Sequence, residues 1–318
     1  MPGGSSRARA AVIAVVGAVT LAVGGCAGTS SQPAPSASSQ PAPSVSSPLA
    51  ASPSGVDATP PPLPGSRTVT GRSSTVSGTV DEATLTAYAS MADRAVAQVS
   101  THWSHPWPRQ VSIVAPADAT AFRALVGRAD DLSQVAAVTD GPVDPTTGLA
   151  TGDRVVLNPD AFRSLTPVGR QFVITHESTH VAVRASLRGA PPLWLAEGFA
   201  DHVGYAASGR RKAELAAALL DEVDAGRGPT QLPAQADFDP AQGQIAPTYL
   251  ASWLAVELID RRHGPRALQR FYEASTVDTS PAAADAATDT AFGSVLGTTR
   301  EAFTRLWLSE LAVLASPK

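Results

Sequence analysis

Polar and apolar positions between residues 67 and 158 follow two different periods, and the changes of period mark out the elements. Thr68-Val69-Thr70 and Thr75-Val76-Ser77-Gly78-Thr79-Val80 alternate at the two-residue spacing of a strand or hairpin. Residues 81–99 switch to helical spacing, opened by acidic residues and apolar at Leu85, Tyr88, Met91, Ala95 and Val99. A Trp/Pro loop at 103–108 ends that helix. A strand at 111–114, a helix at 117–126, a strand at 135–138, a Gly/Pro/Asp/Thr-rich loop at 140–152 and a strand at 154–158 follow. The alternation predicts an α+β lobe, a small mixed sheet with helices against one face.

Residues 167–188 predict a central helix. Thr166 suits the N-cap and Pro167 the first helical position. Arg184 and Arg188 fall in its last turn, Gly189 ends it, and Pro191-Pro192 forbids continuation. Its interior contains β-branched Thr175, Thr179, Val181 and Val183, weak helix formers, so packing must hold it. Helical patterns then recur at 193–203, 210–223, 249–262, 265–274 and 300–314, predicting a mainly helical C-terminal lobe.

Residues 1–66 follow neither period. Arg7 and Arg9 precede an apolar stretch, residues 10–23, too short and Gly-broken for a comfortable membrane span. Val23-Gly24-Gly25-Cys26 then resembles the lipobox of bacterial lipoprotein signal peptides, which implies cleavage before Cys26 and lipidation of that cysteine. Residues 26–66 are rich in Ser, Pro and Ala and carry too little apolar side chain to offset chain entropy, so they read as a disordered tether. The expected domain layout is leader 1–25, tether 26–66 and folded domain 67–318. A lipid on Cys26 would hold the protein on the outer face of the bacterial cytoplasmic membrane without a spanning helix; plain secretion is the runner-up.

Composition narrows the chemistry. A net charge of −4 gives no reason to expect a nucleic-acid partner. The single cysteine excludes an intrachain disulfide and a Cys-based zinc site.

Within the central helix stands His176-Glu177-Ser178-Thr179-His180. On a helix the two imidazoles lie one turn apart on one face, where they can share a metal ion. Glu177 then sits beside the metal, placed to polarise a water rather than to ligate. A hydrolytic zinc takes three protein ligands and keeps a fourth position for water, so the motif needs a third donor. Trp194-Leu195-Ala196-Glu197-Gly198-Phe199-Ala200 offers Glu197, with sixteen residues (181–196) between it and His180. That is enough for a helix end, a proline turn and a returning helix. Asp201, one turn beyond Glu197, can accept the outer N–H of a ligating imidazole and fix its tautomer.

Across about residues 105–275 these motifs resemble the gluzincin metallopeptidases, most closely the bacterial peptidase MA-like domains with H-E-x-x-H followed by W-L-x-E-G-x-A. The resemblance implies a zincin-like fold, with a sheet above the metal helix, helices below and the cleft between them. It implies one Zn²⁺ held by His176, His180 and Glu197, and Glu177 as general base and proton shuttle. It also implies that the strand before the metal helix, residues 155–158, is the sheet edge that pairs with an extended peptide. Tyr249, near a later helix start where relatives also place a tyrosine, would donate to the oxyanion of a tetrahedral intermediate. Asp201-His202 departs from the Glu-Tyr pair common in relatives. His202 reads as a satisfied histidine, His102 and His105 as outside the site, and His263 as a helix terminus.

The expected activity is hydrolysis of peptide bonds in a peptide or protein substrate by a membrane-tethered monomer. The alternatives are a catalytically weak zinc-containing binding lipoprotein on the same scaffold, and a zinc amidase acting on cell-wall peptides.

Overall fold

The computed structural model describes residues 9–15, 63–127 and 132–316. Cys26 and almost all of the tether lie outside the described residues. In chain order the elements begin with β1 (Arg9–Val15), β2 (Arg67–Thr70), β3 (Ser74–Gly78), α1 (Glu82–His102), β4 (Val111–Ala115) and α2 (Ala119–Val126). Then come β5 (Val135–Pro142), β6 (Arg154–Leu157), α3 (Pro159–Ser164), α4 (Pro167–Arg184) and α5 (Leu193–Tyr205). The chain continues through α6 (Lys212–Leu215), α7 (Ala217–Asp224), two 3₁₀ turns at Gln235–Phe238 and Pro240–Gln242, and α8 (Ala246–His263). It finishes with α9 (Pro265–Ser275), α10 (Pro281–Ser294) and α11 (Arg300–Ala315). The fold is α+β, a small mixed sheet followed by a mainly helical region. Among the described residues no helix is long and apolar enough to cross a membrane.

Strands β2 to β6 lie in the order β5-β6-β4-β3-β2, with β3/β4 and β4/β6 parallel and β2/β3 and β5/β6 antiparallel. Residues 155–157 therefore belong to an interior strand, contrary to the edge position the resemblance implies. Of strands β2 to β6, the end strand nearest α4 is β5, whose outer side pairs antiparallel with β1, Val12 facing Thr139. β1 lies within the stretch read as the leader and also approaches α4. Every residue of β6 is buried, as is β5 up to Gly141. A strand alternates its side chains between two faces, so this burial requires cover on both. Helices α1 and α4 pack on the sheet, and α2 and α3 pack on β6 and β5, more cover than the one-faced arrangement expected.

Helix α4 starts where the caps place it: Thr166 Oγ1 accepts from Gly169 N at 3.1 Å, with Pro167 at the first turn. It ends at Arg184, four residues short of the predicted 188. Ser186 Oγ donates to Ala182 O at 2.6 Å and accepts from Trp103 Nε1 at 2.8 Å, which offers the last carbonyls a side-chain partner in place of the helical ladder. Arg188 lies beyond the helix and pairs with Asp278. Gly189, at φ 89, fits against the Val277 backbone instead of capping the helix.

Residues 172–183 of α4 are all buried. The hydroxyls among them close locally: Thr175, Ser178 and Thr179 donate to the carbonyls of Gln171, Ile174 and Thr175 at 2.9, 2.6 and 2.9 Å. Helix α5 runs between α4 and α8, and two glycines set its distances. A Cβ on Gly204 would meet the Phe172 ring at 2.8 Å, and one on Gly198 would meet Ser252 O of α8 at 2.5 Å. Gly198→Ala should therefore destabilise the protein by about 1–3 kcal/mol through overpacking. Helix propensity alone predicts a gain of up to about 1 kcal/mol. Denaturant melts that show a gain would refute this account of the α5–α8 contact.

Candidate metal centre

Two helices bring three donors to one point. His176 and His180 come from successive turns of α4, and Glu197 from the first half of α5, which Trp194 and Phe199 anchor in the core. His176 Nε2 lies 3.0 Å from His180 Nε2 and 3.2 Å from Glu197 Oε2, and the remaining separation, His180 Nε2 to Glu197 Oε2, is 3.5 Å. Ligands bound at about 2.0–2.1 Å around a tetrahedral ion lie about 3.3 Å apart. Glu197 Oε2 is buried and accepts no hydrogen bond of acceptable geometry. Three donor atoms turned on one another, one of them unsatisfied, fit a metal ion.

His176 has its tautomer set from behind. Asp201, one turn after Glu197 on α5, places Oδ1 2.7 Å from His176 Nδ1. With the Nδ1 proton donated to Asp201, the Nε2 lone pair faces the cluster. Asp201→Ala should weaken metal affinity by about 10- to 100-fold. Competition titration against a chelator measures this, and an unchanged affinity would remove Asp201 from the site.

Burial and charge work against each other here. Burial disfavours a charged His176, yet the adjacent carboxylates of Asp201 and Glu197 raise its pKa to about 10. Burial also pushes Asp201 up, to about 6 against the pull of His176. It pushes Glu177 up too, opposed by both histidines and by Thr139. Glu197 ends below the usual range, because the histidines outweigh its burial. The metal-free cluster therefore holds a proton on His176 at neutral pH, which a cation must displace. Zinc binding at pH 7 should release about one proton and weaken as pH falls. Calorimetry in two buffers of different ionisation enthalpy counts that proton, and zero release would contradict the assignment.

Glu177 does not belong to the converging set. Its side chain is fully buried; Oε2 accepts a short hydrogen bond from Thr139 Oγ1 on β5, while Oε1 has no partner. Tyr249, on the first turn of α8, is buried with its ring 6.5 Å from that of His176. Burial and the nearby carboxylates of Glu197, Asp201 and Glu177 hold its pKa well above that of a free phenol, so it remains a proton donor at neutral pH.

The other histidines lie elsewhere. His202 faces Asp260 at 3.5 Å, His105 faces Glu273 at 2.7 Å, and His263 ends α8. Sequence reasoning brought His176, His180, Glu197, Glu177, Asp201 and Tyr249 to this region but missed Thr139. The available signal was the two-residue alternation of Val135, Ala137 and Thr139, which puts the threonine on one face with its apolar neighbours. No protein-family model matches the chain, and no curated protein matches it.

Proposed function

We propose that this chain is a zinc metallopeptidase of the gluzincin type, lipid-anchored through Cys26 on the outer face of a bacterial cytoplasmic membrane. The observation that carries the reading is the unpartnered Oε1 of Glu177 on the helix turn that also presents two metal-ligating imidazoles. His176, His180 and Glu197 would hold the ion. A divalent cation bound there supplies Lewis acidity, polarising an amide carbonyl and making a water molecule acidic enough to ionise near neutral pH.

The protein's own groups do the remainder. Glu177 accepts the water's proton at Oε1 and delivers it to the departing amine. Tyr249, kept protonated, donates a hydrogen bond to the oxygen on which negative charge develops. Asp201 holds the His176 ring in the tautomer that leaves Nε2 free.

One observation favours a second reading, a binding lipoprotein with a structural metal: the three ligands are between 0% and 3% exposed. Strand β1 lies on the outer side of β5 and near α4. It lies in the segment that leader cleavage would remove, so processing would open that edge. The discriminating measurement uses the purified protein with and without zinc on a diverse peptide library. Zinc-dependent cleavage is the expected result. A zinc-loaded, processed protein that cleaves nothing would overturn the peptidase reading and leave the binding one.

A further inference from the structure

We propose that Thr139 is the positioning residue for the general base, fixing one oxygen of Glu177 so that the other is the only one free to meet the attacking water. The inference rests on the peptidase reading and extends it to a residue on a different element. Thr139 is fully buried on β5, and its Oγ1 donates a short hydrogen bond to Glu177 Oε2 while lying 3.3 Å from Glu177 O. The hydroxyl therefore meets both the side chain and the backbone of the same residue. Oε1 is equally buried and has no hydrogen bond.

A glutamate side chain has three rotatable bonds, and an ordered carboxylate needs something to stop it turning. A threonine on a strand suits that purpose, because branching at Cβ limits it to few rotamers and the sheet fixes its backbone. β5 is paired with β6, Thr139 facing Val155, and Arg154 of β6 also lies 3.8 Å from Asp140. The tether thus ties the orientation of the base to the sheet, whereas the metal ligands depend on α4 and α5. The two parts of the site are set by different neighbours and should fail separately.

The experiment compares Thr139→Val, which keeps the shape and removes the donor, with Thr139→Ser, which keeps the donor. In the zinc-loaded whole protein, Thr139→Val should lower kcat by about 10- to 100-fold, the loss of one hydrogen bond to a charged group. KM and zinc content should hold, and Thr139→Ser should recover most of the loss. A second readout needs no turnover: the infrared carboxylate band of Glu177, identified as the band missing from Glu177→Gln, should move in Thr139→Val and stay in Thr139→Ser. If Thr139→Val does not fold, Thr139→Ala, which inserts no bulk, takes its place in both measurements. An unmoved band, or an unchanged kcat in an enzyme that cleaves peptides, would overturn the proposal. A kcat loss matched by zinc loss would make Thr139 a structural residue and overturn it as well. A band that moves in a protein that cleaves nothing would leave the tether standing and sink the peptidase reading instead.

Discussion

For the proposed zinc metallopeptidase, Glu177→Gln should reduce turnover by about 10²- to 10⁴-fold and leave zinc binding unchanged. Glutamine matches glutamate in size, so the burial around position 177 is undisturbed. Its amide oxygen can still accept from Thr139 Oγ1. What it lacks is basicity at the second atom, the Oε1 that has no partner in the wild type. Metal content should not change, because Glu177 contributes nothing to the converging trio of His176, His180 and Glu197. Elemental analysis alongside initial rates checks both halves. A kcat within tenfold of wild type would mean that another group carries the proton.

Glu197→Ala should have the larger structural effect. It removes one of three donors and should weaken zinc binding by more than the roughly 10- to 100-fold expected for Asp201→Ala. It also strips a buried, protonated His176 of one of its two carboxylate partners, which costs on the order of 3 kcal/mol in the metal-free protein. The sign with pH follows from His176, whose pKa rises from 6.5 to about 10 on folding. A raised pKa contributes stability that is complete below the unfolded value and disappears as pH climbs through the folded one. The gap between wild type and variant in metal-free denaturant melts should therefore be widest between about pH 4.5 and 6.5, narrow in acid as Glu197 takes up a proton, and close toward pH 10. A gap that widens with pH would show that His176 is not the charged partner.

The parts of this molecule legible in its sequence are those set by neighbours close in the chain. The N-terminus of α4 was readable from Thr166 and Pro167, and the ligand pair from a spacing of four. Glu197 and Asp201 were readable because one turn of α5 aligns them. Strand order was not, because β6 inserts between β4 and β5 through pairings the local pattern does not encode. The break between α6 and α7 at Ala216 has neither glycine nor proline to announce it. Helix α10 is faint in the sequence because its alanine-rich run carries few large apolar residues, although Ser280 caps it with Pro281 next in line. Helix α3 is too short, at six residues, to show a period, and only the Asn158-Pro159 start that its cap uses announces it. Thr139 escaped because its role depends on a partner 38 residues away.

The hydroxyls of α4 show why hydropathy undersells such a segment. A serine or threonine that donates to the carbonyl one turn back presents its neighbours with methyl and methylene groups, so the helix passes as apolar where it counts. Ser178 and Thr179, the spacers between the ligands, then act as small greasy filler. Replacing both with alanine should leave the metal geometry intact. Under the proposed function, the chemical vocabulary of this helix reduces to three letters in five, and a search for similar sites that penalises polar residues in a buried helix would discard this one.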